Sequence, residues 1–194
     1  MSDFCQKKFK AYHEKTFSID PSSFLEPLAK RVPPEASILD VGCGSGRDLC
    51  WLKQRGFRVM GFERSKDLAA LARKYAECQI MEGDFEIYDF SKLNVDAIIF
   101  VGALVHVPHE KLKPIFKHIT SGLTENGKVL VTLKQGEGTF TDDHGKTYYL
   151  WQDSDLQTIF SEVGFTVLDF KRQISMVRAN DIWLGYVLDK TIDI

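Results

Sequence analysis

The chain has 194 residues, 44% hydrophobic and 27% charged, which is the balance of a globular protein with material for one substantial core rather than two. Its net charge of −2 supplies none of the basic surplus that marks nucleic-acid binding, and lysine clusters such as Lys111, Lys113 and Lys117 read as solvated helix faces. No run of about 18 apolar residues points to a membrane span, residues 1–8 lack a leader-like apolar stretch, and Cys5, Cys43, Cys50 and Cys78 form no C-x-x-C pair. Scattered thiols of this kind favour a reducing, cytoplasmic setting over a disulfide framework or a zinc site.

In chain order, residues 3–17 carry apolar side chains at helical spacing, and residues 22–31 predict a second short helix closed by Pro33 and Pro34. Residues 37–41 read as a buried strand that runs into a glycine-rich turn. A helix over 48–55 follows, stopped by Gly56. The alternation continues with strands at 58–63, 79–83, 95–101 and 128–133, the last after a turn at Asn126 and Gly127. Helices are expected at 66–77, 110–123 and 153–163. Two final strands, 166–174 and 182–188, have no helix between them. Five strands alternating with helices predict an α/β fold: a doubly wound, Rossmann-like, mostly parallel sheet of seven strands, with an antiparallel edge hairpin and helices on both faces. Residues 135–152 form the longest irregular stretch, long enough to suggest a binding loop.

The most informative segment runs from Ile38 to Asp48. A buried strand enters a turn containing Gly42, Gly44 and Gly46, and a helix leaves it, so free N–H groups and a partial positive charge face whatever occupies the turn. The dinucleotide fingerprint G-x-G-x-x-G would need its third glycine at position 47, where Arg47 stands. The spacing is instead Asp-x-Gly-x-Gly-x-Gly from Asp40 to Gly46. It resembles motif I of the class I S-adenosylmethionine-dependent methyltransferases. Downstream residues extend the resemblance over about 36–133: Glu63 ends the second strand, Asp84 and Phe85 follow the third, and Val101, Gly102, Ala103 and His106 follow the fourth.

The resemblance implies S-adenosylmethionine as cofactor, held by Asp40, Gly42, Cys43, Gly44, Gly46 and Arg47, with Glu63 and the adjacent Arg64 at the ribose. It further implies Asp84 and Phe85 at the adenine, and Val101, Gly102, Ala103 and His106 at the methionine arm. Phe85 reads equally as a core side chain. Arg47 could pair with the cofactor carboxylate, Asp40 or Glu63. Together with Leu104 to Pro108 and Lys134 to Gly138, the glycine turn is similar to small bacterial-type methyltransferases, of the type 11/12 and tellurite or thiol methyltransferase kind. That placement implies a small-molecule acceptor and transfers no particular one.

His106 is the candidate general base, against a packing role. His106 with His109, and Asp142, Asp143 and His144, look metal-like on paper, but spacing and turn chemistry argue against a metal. Tyr148, Tyr149 and Trp151 are candidates for the acceptor pocket or anchors of a loop. Residues 1–34, with Tyr12 and Thr16, are expected to form a helical lid over the single domain of 1–194, with Tyr12 near the acceptor. A tRNA or protein methyltransferase, a nonenzymatic S-adenosylmethionine-binding module, and a nicotinamide-dependent oxidoreductase are the competing readings. No nucleic-acid or membrane partner is expected, and the protein is read as a monomer or homodimer.

Overall fold

The computed structural model describes residues 13–143, 145–179 and 181–191. Tyr12 and His144 lie outside them, as does most of the first expected helix. At the centre is β1 (Ser37–Val41), whose last four residues are buried. An apolar strand without alternation needs cover on both faces, and it has it. It pairs in parallel with β2 (Arg58–Glu63) and with β4 (Val95–Val101), matching Asp40 to Gly61 on one side and to Ile99 on the other. Beyond β2 lies β3 (Gln79–Glu82), and beyond β4 lies β5 (Leu123–Gln135). β9 (Ile182–Lys190) runs antiparallel to β5, and β8 (Phe165–Ile174) runs antiparallel to β9 at the edge. These seven strands form the expected mixed sheet. Chain direction across the sheet reverses between β1 and β4, so the loops leaving their carboxyl ends part and open a crevice, the usual place for a ligand in such folds.

Helices cover both faces. Leu25 and Leu28 of α1 (Ser22–Ala29) and Trp51 and Leu52 of α2 (Arg47–Lys53) pack with Ile38, Ile99 and Val187 on one side. On that same side, α3 (Lys66–Ala76) presents Ala69, Ala72 and Ala76 to Leu49 and Ile80, small side chains that let it lie close. Its start is capped by Ser65, whose hydroxyl accepts the Leu68 N–H. On the other side, α4 (His109–Thr120) and α5 (Asp153–Glu162) bury Phe116 and Phe160 against β4, β5 and β9. Truncating either phenylalanine to alanine should cost about 3–5 kcal/mol.

Two segments depart from the sequence expectation. The turn at Asn126 and Gly127 does not precede β5 but lies within it: the partner register jumps from Val95–Leu123 to Ala97–Lys128, so the turn is absorbed as an irregularity in the strand. Residues 135–152 are not irregular. They form a hairpin of β6 (Thr139–Thr141) and β7 (Thr147–Trp151), with β7 parallel to the last residues of β5. Threonines and tyrosines, polar enough to read as loop, are also good strand formers. The turn is closed by Asp142, whose carboxylate accepts the Lys146 N–H.

Candidate active site

The glycine turn at the end of β1 is tightly pinned. A Cβ on Gly42 would stand 2.7 Å from the Cβ of Ala103, and one on Gly46 would stand 3.0 Å from Cα of Ala72; both residues have positive φ. Close packing and backbone conformation therefore both demand glycine here. Most of the turn's N–H groups are engaged inside the chain. Those of Gly42 and Cys43 donate to the Phe62 carbonyl, that of Gly46 to the Cys43 carbonyl, and that of Gly44 to Oε2 of Glu63 at 2.9 Å. These bonds make the turn a rigid shelf. Cys43 is buried in that shelf, and burial pushes its thiol pKa well up.

Acidic groups dominate the shelf. Glu63, 8% exposed, accepts the Gly44 N–H at one oxygen and the Ser65 N–H at the other, 2.8 Å away. A carboxylate can accept about four hydrogen bonds, so both oxygens keep capacity for a diol. Asp40 is 1% exposed, and its Oδ2 has no hydrogen-bond partner among the described residues. Burial above all, then repulsion from Asp48, holds its carboxyl well above the usual carboxylate range; Arg47 opposes the shift and Glu63 adds to it. A buried carboxylate with an idle oxygen among like charges calls for a cation. Arg47 grips its neighbour Asp48 with two nitrogens at 2.7 and 2.9 Å, not Asp40 or Glu63. Its third nitrogen donates to the Thr16 carbonyl, which brings residues 13–17 beside the shelf.

Across the crevice, Asp84 caps its own turn by accepting the Glu86 N–H and faces Arg64 at 3.7 Å. Phe85 is half-buried against the main core. Val101 packs into the core on the α1 side, and Ala103 touches Gly42 as noted. Gly102 donates its N–H to Oγ1 of Thr132, and a Cβ there would meet the Trp183 indole at 3.3 Å.

His106 stands on a short 3-10 turn, Leu104–His106, with Nδ1 2.6 Å from the Thr147 carbonyl and its ring 4.5 Å from that of Tyr148. Partial burial is the main cause lowering its pKa, assisted by Lys146 and Lys134 and opposed by the Thr147 bond and Asp142.

Strand alternation sorts the three hairpin aromatics. Tyr148 faces His106. Tyr149 and Trp151 point the other way, where both meet His109 edge-on and Trp151 is buried in the core, so neither lines the crevice. His109 itself bonds the Leu150 carbonyl through Nε2. The two histidines thus tie the hairpin to the 3-10 turn after β4 and to the start of α4. Among the described residues, no group of three or more His, Cys, Asp or Glu side chains is placed to hold a metal. Sequence reasoning missed Lys134, Trp183 and Asp181. Lys134 pairs with Asp181 and lies over the Tyr148 ring at 4.2 Å and the Trp183 ring at 5.5 Å. A lysine closing an otherwise apolar strand at its carboxyl end was the available signal.

Residues 38–127 match the methyltransferase domain family. The chain is 26% identical over 179 residues to an uncharacterized methyltransferase of Staphylococcus carnosus, covering 87% of this chain and 85% of that protein. Over the segment that carries the glycine turn, Glu63 and Asp84, the chain is thus similar to the methyltransferases. The fold is shared with solved structures. One is the Burkholderia thailandensis 1,6-didemethyltoxoflavin-N1-methyltransferase with its acceptor and S-adenosylhomocysteine bound: TM-score 0.77, 19% identity, 97% of this chain and 86% of that one. Another is a Synechocystis magnesium protoporphyrin IX methyltransferase with S-adenosylmethionine bound: TM-score 0.70, 18% identity, 98% and 86% covered. Both of those solved proteins hold S-adenosylmethionine or S-adenosylhomocysteine. No helix among the described residues is long and apolar enough to cross a membrane.

Proposed function

We propose that the protein is a methyltransferase that acts on a small organic molecule, with the cofactor on the shelf between Asp40 and Asp84 and the acceptor beyond Gly102. The observation that carries the reading is the wall around Gly102. Trp183 meets it directly, and Lys134, Tyr148 and His106 continue the wall from three further segments. A niche of ring edges suits a small molecule better than a polymer backbone, which needs a broad basic face. The two solved relatives named above, methyltransferases of 1,6-didemethyltoxoflavin and of magnesium protoporphyrin IX, support the same class of acceptor.

Within this reading Asp40 receives a positively charged group of the cofactor, Glu63 accepts from the ribose hydroxyls, and Asp84 and Phe85 border the adenine. When bound, S-adenosylmethionine supplies a methyl carbon already activated by its sulfonium. The chain's own contribution is to orient the acceptor, which can be worth about 7–11 kcal/mol, and to move a proton. The Thr147 carbonyl can only accept a hydrogen bond, so Nδ1 of His106 carries the hydrogen and Nε2 keeps its lone pair. The lowered pKa keeps the ring neutral at neutral pH. His106 is therefore the base for an acceptor that must lose a proton, a contribution of about 10²–10⁴-fold.

Residues 13–17 close one side of the crevice as a lid, through His13 and Phe17 on Tyr75 and Thr16 on Arg47. The β6–β7 hairpin closes the other. The free thiols Cys43, Cys50 and Cys78 suit the reducing cytoplasm, where we place the protein.

Incubation of the protein with labelled S-adenosylmethionine and panels of small thiols, amines, acids and phenols, beside bulk tRNA and protein, tests the assignment. S-Adenosylhomocysteine should form with a small molecule. Label entering tRNA or protein alone, or turnover with no panel member, would refute it.

A further inference from the structure

We propose that the methyl acceptor is an amphiphilic acid, an apolar or aromatic body bearing an ionised or readily ionised O–H or N–H group, and that Lys134 is the residue that selects it. The proposal rests on the small-molecule reading above.

Lys134 closes β5 at the crevice, with its side chain only 8% exposed. A buried ammonium costs several kcal/mol unless it is well compensated. It offers three donors, yet among the described residues its one oxygen partner is the Asp181 carboxylate. The Tyr148 and Trp183 ring faces supply weaker, non-directional attraction. Donor capacity is thus left over at a place where it matters. Trp183, the cross-strand partner of Lys134, reaches Gly102, and Tyr148 touches His106. The cation stands between the methyl-donor end of the crevice and the base.

Its counterion stands at the edge of the niche, where solvent and ligand can reach it. Asp181 lies just before β9, on the turn that leaves β8, and its side chain is 22% exposed. An acceptor anion can share Lys134 with it or displace it. An amine acceptor would arrive as a cation against Lys134.

The apolar half of the class comes from the rim. Phe140, Met176 and Val177 are 44%, 65% and 41% exposed. They sit on the hairpin that supplies Tyr148 and on the β8–β9 connection that supplies Asp181. Arg178 joins the two segments, with its guanidinium 5.9 Å from the Phe140 ring and 3.8 Å from Asp142. Apolar side chains gathered at the mouth of a polar niche offer a seat for a hydrophobic body. For an acceptor that arrives protonated, the proton passes to Nε2 of His106. The electron pair left on the accepting atom faces Lys134 until it forms the new bond to the methyl carbon, sulfur keeping the electrons of the bond that breaks.

The test is calorimetric titration of the full chain, saturated with S-adenosylhomocysteine, against 2-naphthoate, 2-naphthylmethylammonium and acetate. Naphthoate should bind at least about tenfold more tightly than either of the others. Lys134→Met should weaken naphthoate about tenfold or more, the loss of one charge-assisted contact, and leave S-adenosylhomocysteine affinity unchanged. Asp181→Asn should tighten it, because the competing carboxylate is gone. An ion pair with a merely structural role would weaken binding in both variants. Equal binding of the ammonium probe, or an Asp181→Asn variant that does not gain affinity, overturns the proposal, whether or not Lys134→Met folds. The two readings also fail separately: methylation of tRNA or protein alone removes the small-molecule assignment, whereas methylation of small amines or neutral polyols with no naphthoate binding removes only the acidic class.

Discussion

Consider Asp40→Asn, which keeps the side-chain volume and removes the charge. In the free protein the Asp40 carboxylate is buried, one oxygen has no partner among the described residues, and Asp48 and Glu63 add like charge. Its pKa is raised, so the folded chain holds this proton more tightly than the unfolded chain does. Stability therefore falls as pH rises from the ordinary carboxylate range through the Asp40 value, and it recovers on acidification. Asparagine carries no such penalty. The free variant should be more stable than the parent at neutral pH by about 1–3 kcal/mol, the extra cost of burying a charge rather than a neutral amide beside Asp48 and Glu63. For a domain of this size that is about 2–4 °C in melting temperature per kcal/mol. The difference should shrink as the pH is lowered. Binding should move the other way. Loss of a charge-assisted contact of about 1.5–3 kcal/mol weakens S-adenosylhomocysteine roughly 10–100-fold. Thermal unfolding from acid to neutral pH and calorimetric titration read the two effects. An asparagine variant less stable than the parent at neutral pH, or one that binds S-adenosylhomocysteine unchanged, would refute the reasoning.

Gly42→Ala combines a positive φ with a Cβ 2.7 Å from Ala103 and should lower the urea unfolding free energy by about 2–4 kcal/mol; an unchanged midpoint would count against the close packing. Glu63→Gln, which turns one of two acceptor oxygens into a donor, should weaken the cofactor about tenfold by calorimetry while the fold persists. With an acceptor that must lose a proton, kcat/KM should rise with pH and level off below the ordinary histidine range, and His106→Asn should remove that limb; a limb that survives the substitution would assign the base elsewhere. The same lowered pKa means that protonating His106 costs stability. That contribution is complete above the unfolded histidine value and is lost as pH falls through it towards the folded one.

The parts legible in the sequence were those written in local pattern. An apolar run, three glycines and a helical period announce β1, its turn and α2 with no information from elsewhere in the chain. The acids ending β1 and β2 could be placed because strand ends in such a sheet converge. What was hidden depends on register and packing. Lys134 and Trp183 become neighbours because β9 returns antiparallel along β5 in one particular alignment, a fact carried by the whole strand pair and by neither residue. Arg47 turned to the residue beside it, a choice no spacing rule anticipates. Residues 22–29 looked like part of a lid, yet Leu25 and Leu28 are fully buried, so α1 belongs to the core and only what precedes it is free for that role. Tyr149 and Trp151 were grouped with Tyr148 by proximity in sequence and separated from it by the two-residue period of a strand.

The β6–β7 hairpin pairs with the sheet at two residue pairs among the described residues, Lys134 with Leu150 and Gln135 with Trp151, supplemented by the bonds from His106 and His109 and the Arg178 contacts with Asp142 and Phe140. It is therefore attached outside the cooperative frame that builds the cofactor shelf. A segment so joined can be exchanged, lengthened or recoloured in charge while β1, its turn and Glu63 fold undisturbed. Chimeras that swap residues 136–150 between relatives should inherit the donor's taste in acceptors while keeping their own grip on S-adenosylmethionine. In lineages built on this frame, the partner of the reaction can drift faster than its chemistry.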